Sequence, residues 1–401
     1  MRVVYLDAAL IGELGHFAGV CRSVTAAIRG AGQEVIVCSH QQIDPQLKAE
    51  LSAQPLFRLH PNARLSNDPV CGWLLNYFET VRLTAEDLSR LQGLSAEDVI
   101  VYDCARPAQI GALIQWLQQT FAADACPQLL VMLGWPSGMT VNRDESGQLK
   151  NWRLHDQASC LYRLAAATIK PAYAGRVRFG CPDPTAAEAY QQLLGRPVET
   201  LPAIQQATIP PRDRSAASEP CMAFLGEQRF DKGYPLVPAI VEGLLTADVP
   251  LRILVQNSWQ QMEEQNAALQ GLAERDPRLT VRIGTLTADG WRQQLSEADL
   301  IVLPYHPSTY STTLSGVGAE AVANGIPQAV PANTGLSRLV VDYGMPGVIF
   351  PTSEPAAVVK AVLEALQDWP ALTARAARAR ELWAERNSPQ RLAAAILGRQ
   401  A

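Results

Sequence analysis

Two doubly wound parallel-sheet α/β domains facing a cleft are predicted by three features of this 401-residue sequence. Short apolar runs alternate with amphipathic stretches from end to end, the pattern of a parallel sheet covered on both faces. The alternation pauses once, at "PAIQQATIPPRDRSAASEP" (202–220), rich in Pro, Ser and Arg. It then restarts with the same rhythm. A chain of this length exceeds one compact core, so the pause reads as an interdomain linker. The division expected is 1–205, linker 206–220, 221–380, and a terminal segment 381–401.

In the first half, Arg2–Leu6, Glu34–Cys38, Val99–Tyr102, Leu129–Leu133, Val177–Phe179 and Val198–Leu201 read as strands. Phe17–Gly30, Pro107–Gln119, Arg153–Ala167 and Pro184–Leu194 have helical periodicity. In the second half the expected strands are Met222–Leu225, Leu251–Val255, Leu279–Ile283, Leu300–Leu303 and Gln328–Val330, with Val348–Phe350 as an edge. The expected helices are Tyr234–Leu245, Trp259–Glu274, Gly290–Glu297, Val317–Asn324 and Ala356–Leu366. No repeat of fixed period is evident.

Composition narrows the class. Hydrophobic residues make up 48% and charged residues 18%, as in a globular protein. A net charge of −5 argues against nucleic acid as a main partner, though a local basic patch stays open. The start, "MRVVYLDAAL", reads as a strand and not a leader, and no apolar run reaches 18 residues, so a cytoplasmic protein is expected. The eight cysteines form no CxxC pair and read as reduced and buried, and metal-ligand spacing is absent, so no metal is expected.

Ligands of doubly wound sheets lie beyond the carboxyl ends of the strands. After the first strand, "ALIGELGHFAGVC" (9–21) has glycines at 12, 15 and 19. That is not GxGxxG, so a nicotinamide enzyme is disfavoured. The turn still offers backbone N–H groups at a helix start, and His16 can donate to a phosphate, act as a base, or merely cap the helix. In "YDCARP" (102–107), Asp103 can take a proton or hold a sugar hydroxyl, or cap the helix from Pro107. The loop "GWPSGMTVNRDESGQ" (134–148) is an acceptor pocket wall or a surface loop.

The second domain opens with "FLGEQRFDKGYPLVPAI" (224–240). Arg229 supplies a planar fork and Lys232 a point charge, a combination suited to a diphosphate, unless the turn is only solvated. Lys232 is expected at a helix entrance, against the dipole unless an anion compensates. "LPYHPSTYSTTLSGVGAEAVANGIP" (303–327) is the richest segment. The N–H groups near Ser315, Gly316 and Val317 can point at an anion, or the small residues can serve tight packing. Glu320 lies four residues past Gly316, about 6 Å deeper along the axis. It can accept hydrogen bonds from a vicinal diol such as ribose, or simply complement the helix N-terminus.

Strand–"LGEQRFDKGY"–helix, then "ADLIVLPY", then "SGVGAEAVANGIPQAV" resembles the GT-B fold glycosyltransferases, and most closely the retaining group classed as family 4. That group has a glycine followed six residues later by Lys-Gly, matched by Gly226, Lys232 and Gly233. Its arginine usually follows the glycine directly, where Glu227 stands; Arg229 is offset. Its paired glutamates, with seven residues between them, precede A-small-Gly-x-Pro. Glu320, Ala321, Gly325 and Pro327 match the second half, but Thr312 stands at the first acid. The resemblance is good over roughly 222–335 and weak before it.

The resemblance implies two Rossmann-like domains and transfer of a sugar from a nucleotide-diphosphate donor, with retention and without a metal or cofactor. The donor set implied is Gly15, Gly226, Arg229, Lys232, Gly284, Tyr305, Thr312, Ser315, Gly316, Val317 and Glu320. His16, Asp103, Arg229 and Lys232 are the catalytic candidates. Glu320 would bind the ribose, the nucleobase would be held by main chain near Ile283–Leu286, and the last helix would cross back to the first domain. The acceptor is a glycan, lipid or small molecule. Arg375, Arg378 and Arg380 are either a face for anionic headgroups, giving a peripheral membrane contact, or a solvated helix face. A sugar-nucleotide epimerase or hydrolase, or a non-catalytic nucleotide-binding scaffold, are the competing readings.

Overall fold

The computed structural model describes every residue except 14–16, 135–137, 145, 147, 155–158, 259–261, 345–346 and 400–401, without the side chains at 150–152 and 154. The chain forms two compact units, residues 1–204 with 387–401, and residues 205–386.

The first unit is built on β1 (Arg2–Leu6), β2 (Glu34–His40), β3 (Gln54–Phe57), β4 (Val99–Tyr102), β5 (Gln128–Met132), β6 (Met139–Arg143), β7 (Leu149–Leu154), β8 (Val177–Cys181) and β9 (Glu199–Thr200). Seven of them form a parallel sheet in the order β3-β2-β1-β4-β5-β8-β9. Because successive side chains alternate faces, the unbroken apolar runs feed two cores. Val4, Leu6, Ile100 and Tyr102 pack into one, and Val3, Tyr5, Val99 and Val101 into the other. Helices Phe17–Gly30 and Pro389–Ile396 close the second core through Cys21, Val24, Ile28, Leu392 and Ile396.

Two local expectations are corrected here. Arg153–Ala167 is not one helix: β7 ends at Leu154 and the helix is Cys160–Ala167. The 134–148 loop contains β6, which pairs antiparallel with β7 around a turn where the Asp144 and Gln148 main chains meet. Helices Pro45–Leu51 and Gly72–Leu88, and β3, occupy a stretch that shows little clear periodicity. Cys160 is exposed and Cys71 and Cys104 are half-buried, against the expectation of buried thiols throughout; none of the eight cysteines is in a disulfide.

The second unit is built on β10 (Cys221–Phe224), β11 (Arg252–Asn257), β12 (Leu279–Ile283), β13 (Leu300–Val302), β14 (Gln328–Pro331) and β15 (Val348–Phe350). They form a parallel sheet in the order β12-β11-β10-β13-β14-β15. The chain winds outward from β10 on one side and from β13 on the other, so the strand order reverses between these two neighbours. That crevice is where such a sheet offers a ligand its seat. Segment 206–220 is bound along this unit. Thr208 and Ile209 donate main-chain N–H groups to Asn324 Oδ1 at 2.8 and 3.0 Å, and the Trp369 indole donates to the Arg214 carbonyl at 2.9 Å. Helix Trp369–Arg386 completes the unit, and the chain re-enters the first unit at Asn387, which accepts the Ala203 N–H at 2.8 Å. Among the described residues, no helix is long and apolar enough to cross a membrane.

Candidate nucleotide-sugar site

The loops leaving β10 and β13 bring most of the second-unit candidates together. Gly226, just past β10, has φ +101°, a conformation that side chains avoid. A Cβ built there would stand 3.2 Å from Val317 Cγ2 and 4.0 Å from Lys232 Nζ. Gly226, Lys232 and the first turn of helix Gly316–Ala323 therefore border one point, although they come from two segments far apart in the sequence.

Lys232 ends a short 3-10 turn, Phe230–Lys232, while the α-helix proper begins at Val237. The expected helix-entrance lysine is thus a turn lysine, a full turn upstream of the helix dipole. Its ammonium lies 5.6 Å from the centroid of the Tyr305 ring, within cation–π range. Burial draws its pKa down to about 8; the charge of Arg229 acts in the same direction, and Glu227 and Asp231 oppose it. Its main-chain N–H donates to the Arg229 carbonyl at 3.1 Å, but among the described residues the Lys232 ammonium makes no hydrogen bond or ion pair.

Arg229 is paired with two acids. Its Nε and Nη2 pair with the two carboxylate oxygens of Asp231 at 3.0 and 3.1 Å, and its Nη1 reaches Glu227 at 2.8 Å. Burial would lower its pKa, but Asp231 and Glu227 hold it above the ordinary value. A guanidinium shared by two acids braces the turn, and the nearby positive charge without an acidic partner is Lys232.

Ser315 caps the 316–323 helix by accepting the Gly318 N–H at 3.2 Å. The helix leaves the N–H groups of Gly316 and Val317 without intrahelical acceptors. The two glycines of this bare start have different causes. At Gly318 a Cβ would lie 2.3 Å from Leu336 Cδ2, so its size is set by packing. At Gly316 a Cβ would meet no atom within 4 Å. Gly318→Ala should cost about 1–3 kcal/mol in urea unfolding, while Gly316→Ala, a helical site with space around it, should be neutral or stabilising by up to ~1 kcal/mol. Equal losses at both positions would mean that packing alone explains the stretch.

One turn deeper, Glu320 is half-buried, and its Oε2 accepts the indole N–H of Trp291 at 2.9 Å. Burial pushes its carboxyl up to about 7, with the Trp291 hydrogen bond acting against that rise. Tyr305 is 1% exposed and stacks obliquely on Tyr310 with centroids 4.5 Å apart. Burial raises its phenol and Ser315 acts against the rise, though among the described residues no hydrogen bond of ordinary geometry reaches its hydroxyl. Thr312 is buried at 4% exposure in the loop between helix Pro307–Tyr310 and Ser315.

Several side chains that hold this arrangement are not visible as a motif. Gln256, at the end of β11, accepts the Gly226 N–H at 2.9 Å and donates to the Gly284 carbonyl at 3.2 Å. It ties the expected phosphate loop to the expected base loop. Asn257 accepts from the Gln228 N–H at 3.3 Å and donates to Asn266, which also takes the Tyr234 hydroxyl at 2.6 Å. The only sequence signal is two amides closing an otherwise apolar strand, "RILVQN", where buried amides must find partners. Trp291 gave no signal.

In the first unit, Asp103 is buried at the carboxyl end of β4 and accepts the Tyr5 hydroxyl at 2.9 Å. It does not cap the following helix, whose N-cap residue is Arg106. Asp7, just past β1, is also buried, and burial followed by the charge of Asp103 raises its pKa. Gly15 and His16 lie outside the described residues.

The two sheets are those of GT-B glycosyltransferases. A Rickettsia africae glycosyltransferase is similar over 99% of this chain and 97% of its own at TM-score 0.64 and 9% identity. Anabaena Alr3699/HepE, solved with UDP, is similar over 99% of both chains at TM-score 0.63 and 13% identity. A putative UDP-N-acetylglucosamine 2-epimerase from Listeria monocytogenes shares the fold over 99% of this chain and 94% of its own, at TM-score 0.57 and 12% identity. No curated protein is similar to the chain at a significant level. The family described as "Family 4 Glycosyltransferase in conflict systems" matches residues 187–396, more than half of the chain and the whole of the second unit. The chain belongs to this family of glycosyltransferases.

Proposed function

We propose that the protein moves a glycosyl group from a nucleoside-diphosphate sugar, held in the second unit, to an acceptor hydroxyl, with retention and without a metal. The observation that supports this best is the point bordered by Gly226, Lys232 Nζ and Val317, where a cation and an open helix start face the space left by a missing side chain. The diphosphate lies there. Lys232 and the N–H groups of Gly316 and Val317 stabilise its growing charge as the bond to the sugar breaks. The electron pair of that bond goes to the diphosphate, which then takes the acceptor's proton. Glu320 accepts the ribose hydroxyls one turn deeper, and Gly284, tied through Gln256, borders the base. Thr312 offers the sugar a neutral hydroxyl where related sequences carry an acid. Asp103 and His16 are assigned to the acceptor side. UDP is the first nucleotide to test, because HepE was solved with it.

Donor binding is tested by thermal unfolding against UDP, GDP, ADP and their sugars. A nucleotide at 100-fold its dissociation constant should stabilise the wild type by about 2.7 kcal/mol. Glu320→Gln should lose most of that shift, and an undiminished shift would sink the ribose assignment. Diol binding needs the ionised carboxylate, so affinity should rise as pH passes through about 7. It should fall again as Lys232 loses its proton above about 8 in the free protein. Glu320→Gln should lack the acidic limb. Turnover that persists in EDTA and requires an acceptor supports the transferase. Donor consumption without acceptor would favour the epimerase or hydrolase reading, whose fold the Listeria protein shares. Binding without turnover for any pairing would favour a scaffold.

A further inference from the structure

We infer that Trp291 positions the Glu320 carboxylate as the acceptor for its diol ligand, an inference that rests on the sugar-nucleotide reading above. The two residues come from different helices, Ala288–Glu297 and Gly316–Ala323. The first is fixed at its start by Thr287, which accepts the Gly290 N–H at 3.1 Å, and along its length by buried Gln294 and Leu295. Trp291 is in its first turn, and its Nε1 meets Glu320 Oε2 at 2.9 Å.

The chemistry of the partner decides what the contact does. An indole N–H donates and never accepts. It therefore favours the carboxylate over the carboxylic acid and fixes the rotamer through Oε2. It carries no charge, so it does not neutralise the acid as an arginine would. Oε1 and the second lone pair of Oε2 remain for hydroxyls that must donate. Among the described residues no charged side chain acts on Glu320; burial and the Trp291 hydrogen bond define its ionisation there. Among the described residues, Trp291 is thus the polar group that opposes the effect of burial on the site's carboxylate.

The test compares wild type with Trp291→Phe, which keeps an aromatic ring and removes the N–H; Trp291→Leu replaces it should that variant fail to fold. Two measurements are made. The first is the carboxyl carbon-13 titration of Glu320 in the nucleotide-free protein. Its midpoint should rise by about one pH unit in the variant, the size of one charge-assisted hydrogen bond. The second is calorimetric binding of UDP, GDP and ADP between pH 6 and 9. Affinity should drop about five- to tenfold at pH 7, and the gap should narrow toward pH 9, where both carboxyls are ionised. Loss of the Lys232 charge affects both proteins alike and cancels in the ratio. An unmoved Glu320 midpoint overturns the inference. So does a loss of affinity by the same factor at every pH, which marks a packing role only. If the wild type binds none of the nucleotides, the proposed function fails, and the carbon-13 midpoint still decides whether Trp291 governs this carboxylate.

Discussion

Lys232→Met should lower kcat/KM for the donor sugar by about a hundred- to a thousandfold, the cost of removing one preorganised charge from a developing anion. It should do so in a protein that is no less stable than the wild type. Lys232 is half-buried and makes no ion pair among the described residues, and burial holds its pKa near 8 in place of 10.5. A folded pKa below the unfolded one means that the unfolded chain binds more protons. The lysine therefore costs stability below about pH 8, and the cost fades as pH rises from there toward 10.5. At pH 7 the cost is at most about 3.5 kcal/mol, at 1.36 kcal/mol per unit. Methionine fills the same space and removes it. Unfolding in urea at pH 7 and pH 10, with steady-state kinetics alongside, checks both halves. A variant less stable at pH 7 would mean that the ammonium has a partner in the fold. A variant with unchanged kcat/KM would remove Lys232 from the chemistry.

Glu320 has the same character with the opposite sign. Burial raises its carboxyl to about 7 even with the Trp291 N–H donating to it, so its ionised form is disfavoured until further donors arrive. A half-buried cation drawn down in the turn after β10 and a half-buried acid pushed up in helix Gly316–Ala323 are groups tuned by their surroundings and not by each other. Such tuning marks functional sites more often than structural ion pairs, which satisfy themselves. Arg229 is the contrast: its charge is absorbed by Asp231 and Glu227, and its pKa stays above the ordinary value.

Much of the fold was legible because β1, β4, β10 and β13 are buried on both faces and read as unbroken apolar runs. The hairpin of β6 and β7 was not, because its mixed polar residues carry no period of either kind. Helix Gly72–Leu88 was missed for a related reason: Trp73, Leu75 and Phe78 are exposed, which blurs the apolar stripe. Within the site, Gly226, Lys232, Gly316 and Glu320 were legible from spacing, since each belongs to one short segment. Trp291 and Gln256 were not. Their roles depend on which strands lie side by side, and β11, β12 and the 316–323 helix are far apart in sequence. The carboxylate partners of Arg229 were in plain view at positions 227 and 231, but their geometry depends on a 3-10 turn that local pattern does not reveal.

Gly233→Ala should be the most damaging single-methyl change in the second unit. Gly233 follows the 3-10 turn with φ +69°. Its N–H donates to the Phe230 carbonyl at 3.0 Å, and its own carbonyl accepts the Leu236 N–H at 3.0 Å, so the residue is held from both sides. A Cβ built there would stand 1.9 Å from the Pro304 carbonyl oxygen and 2.8 Å from its carbon. Those are backbone atoms just past β13 and cannot rotate away. The chain must separate the β10 and β13 loops, and Lys232 is on one while Tyr305 is on the other. Stability should fall by about 3–5 kcal/mol from steric overlap added to left-handed strain. Tm should drop by roughly 10 °C for a unit of this size. Donor kcat/KM should fall at least as far as in Lys232→Met, because a displacement of about 1 Å in a charge-stabilising group costs on the order of a hundredfold by itself. Gly284→Ala is the control. Its φ is +123°, but a Cβ there would meet nothing within 4 Å, so it bears only the backbone strain of about 1–2 kcal/mol. If calorimetry finds the two variants equally stable, the close approach of the two loops is not what fixes the glycine after Lys232.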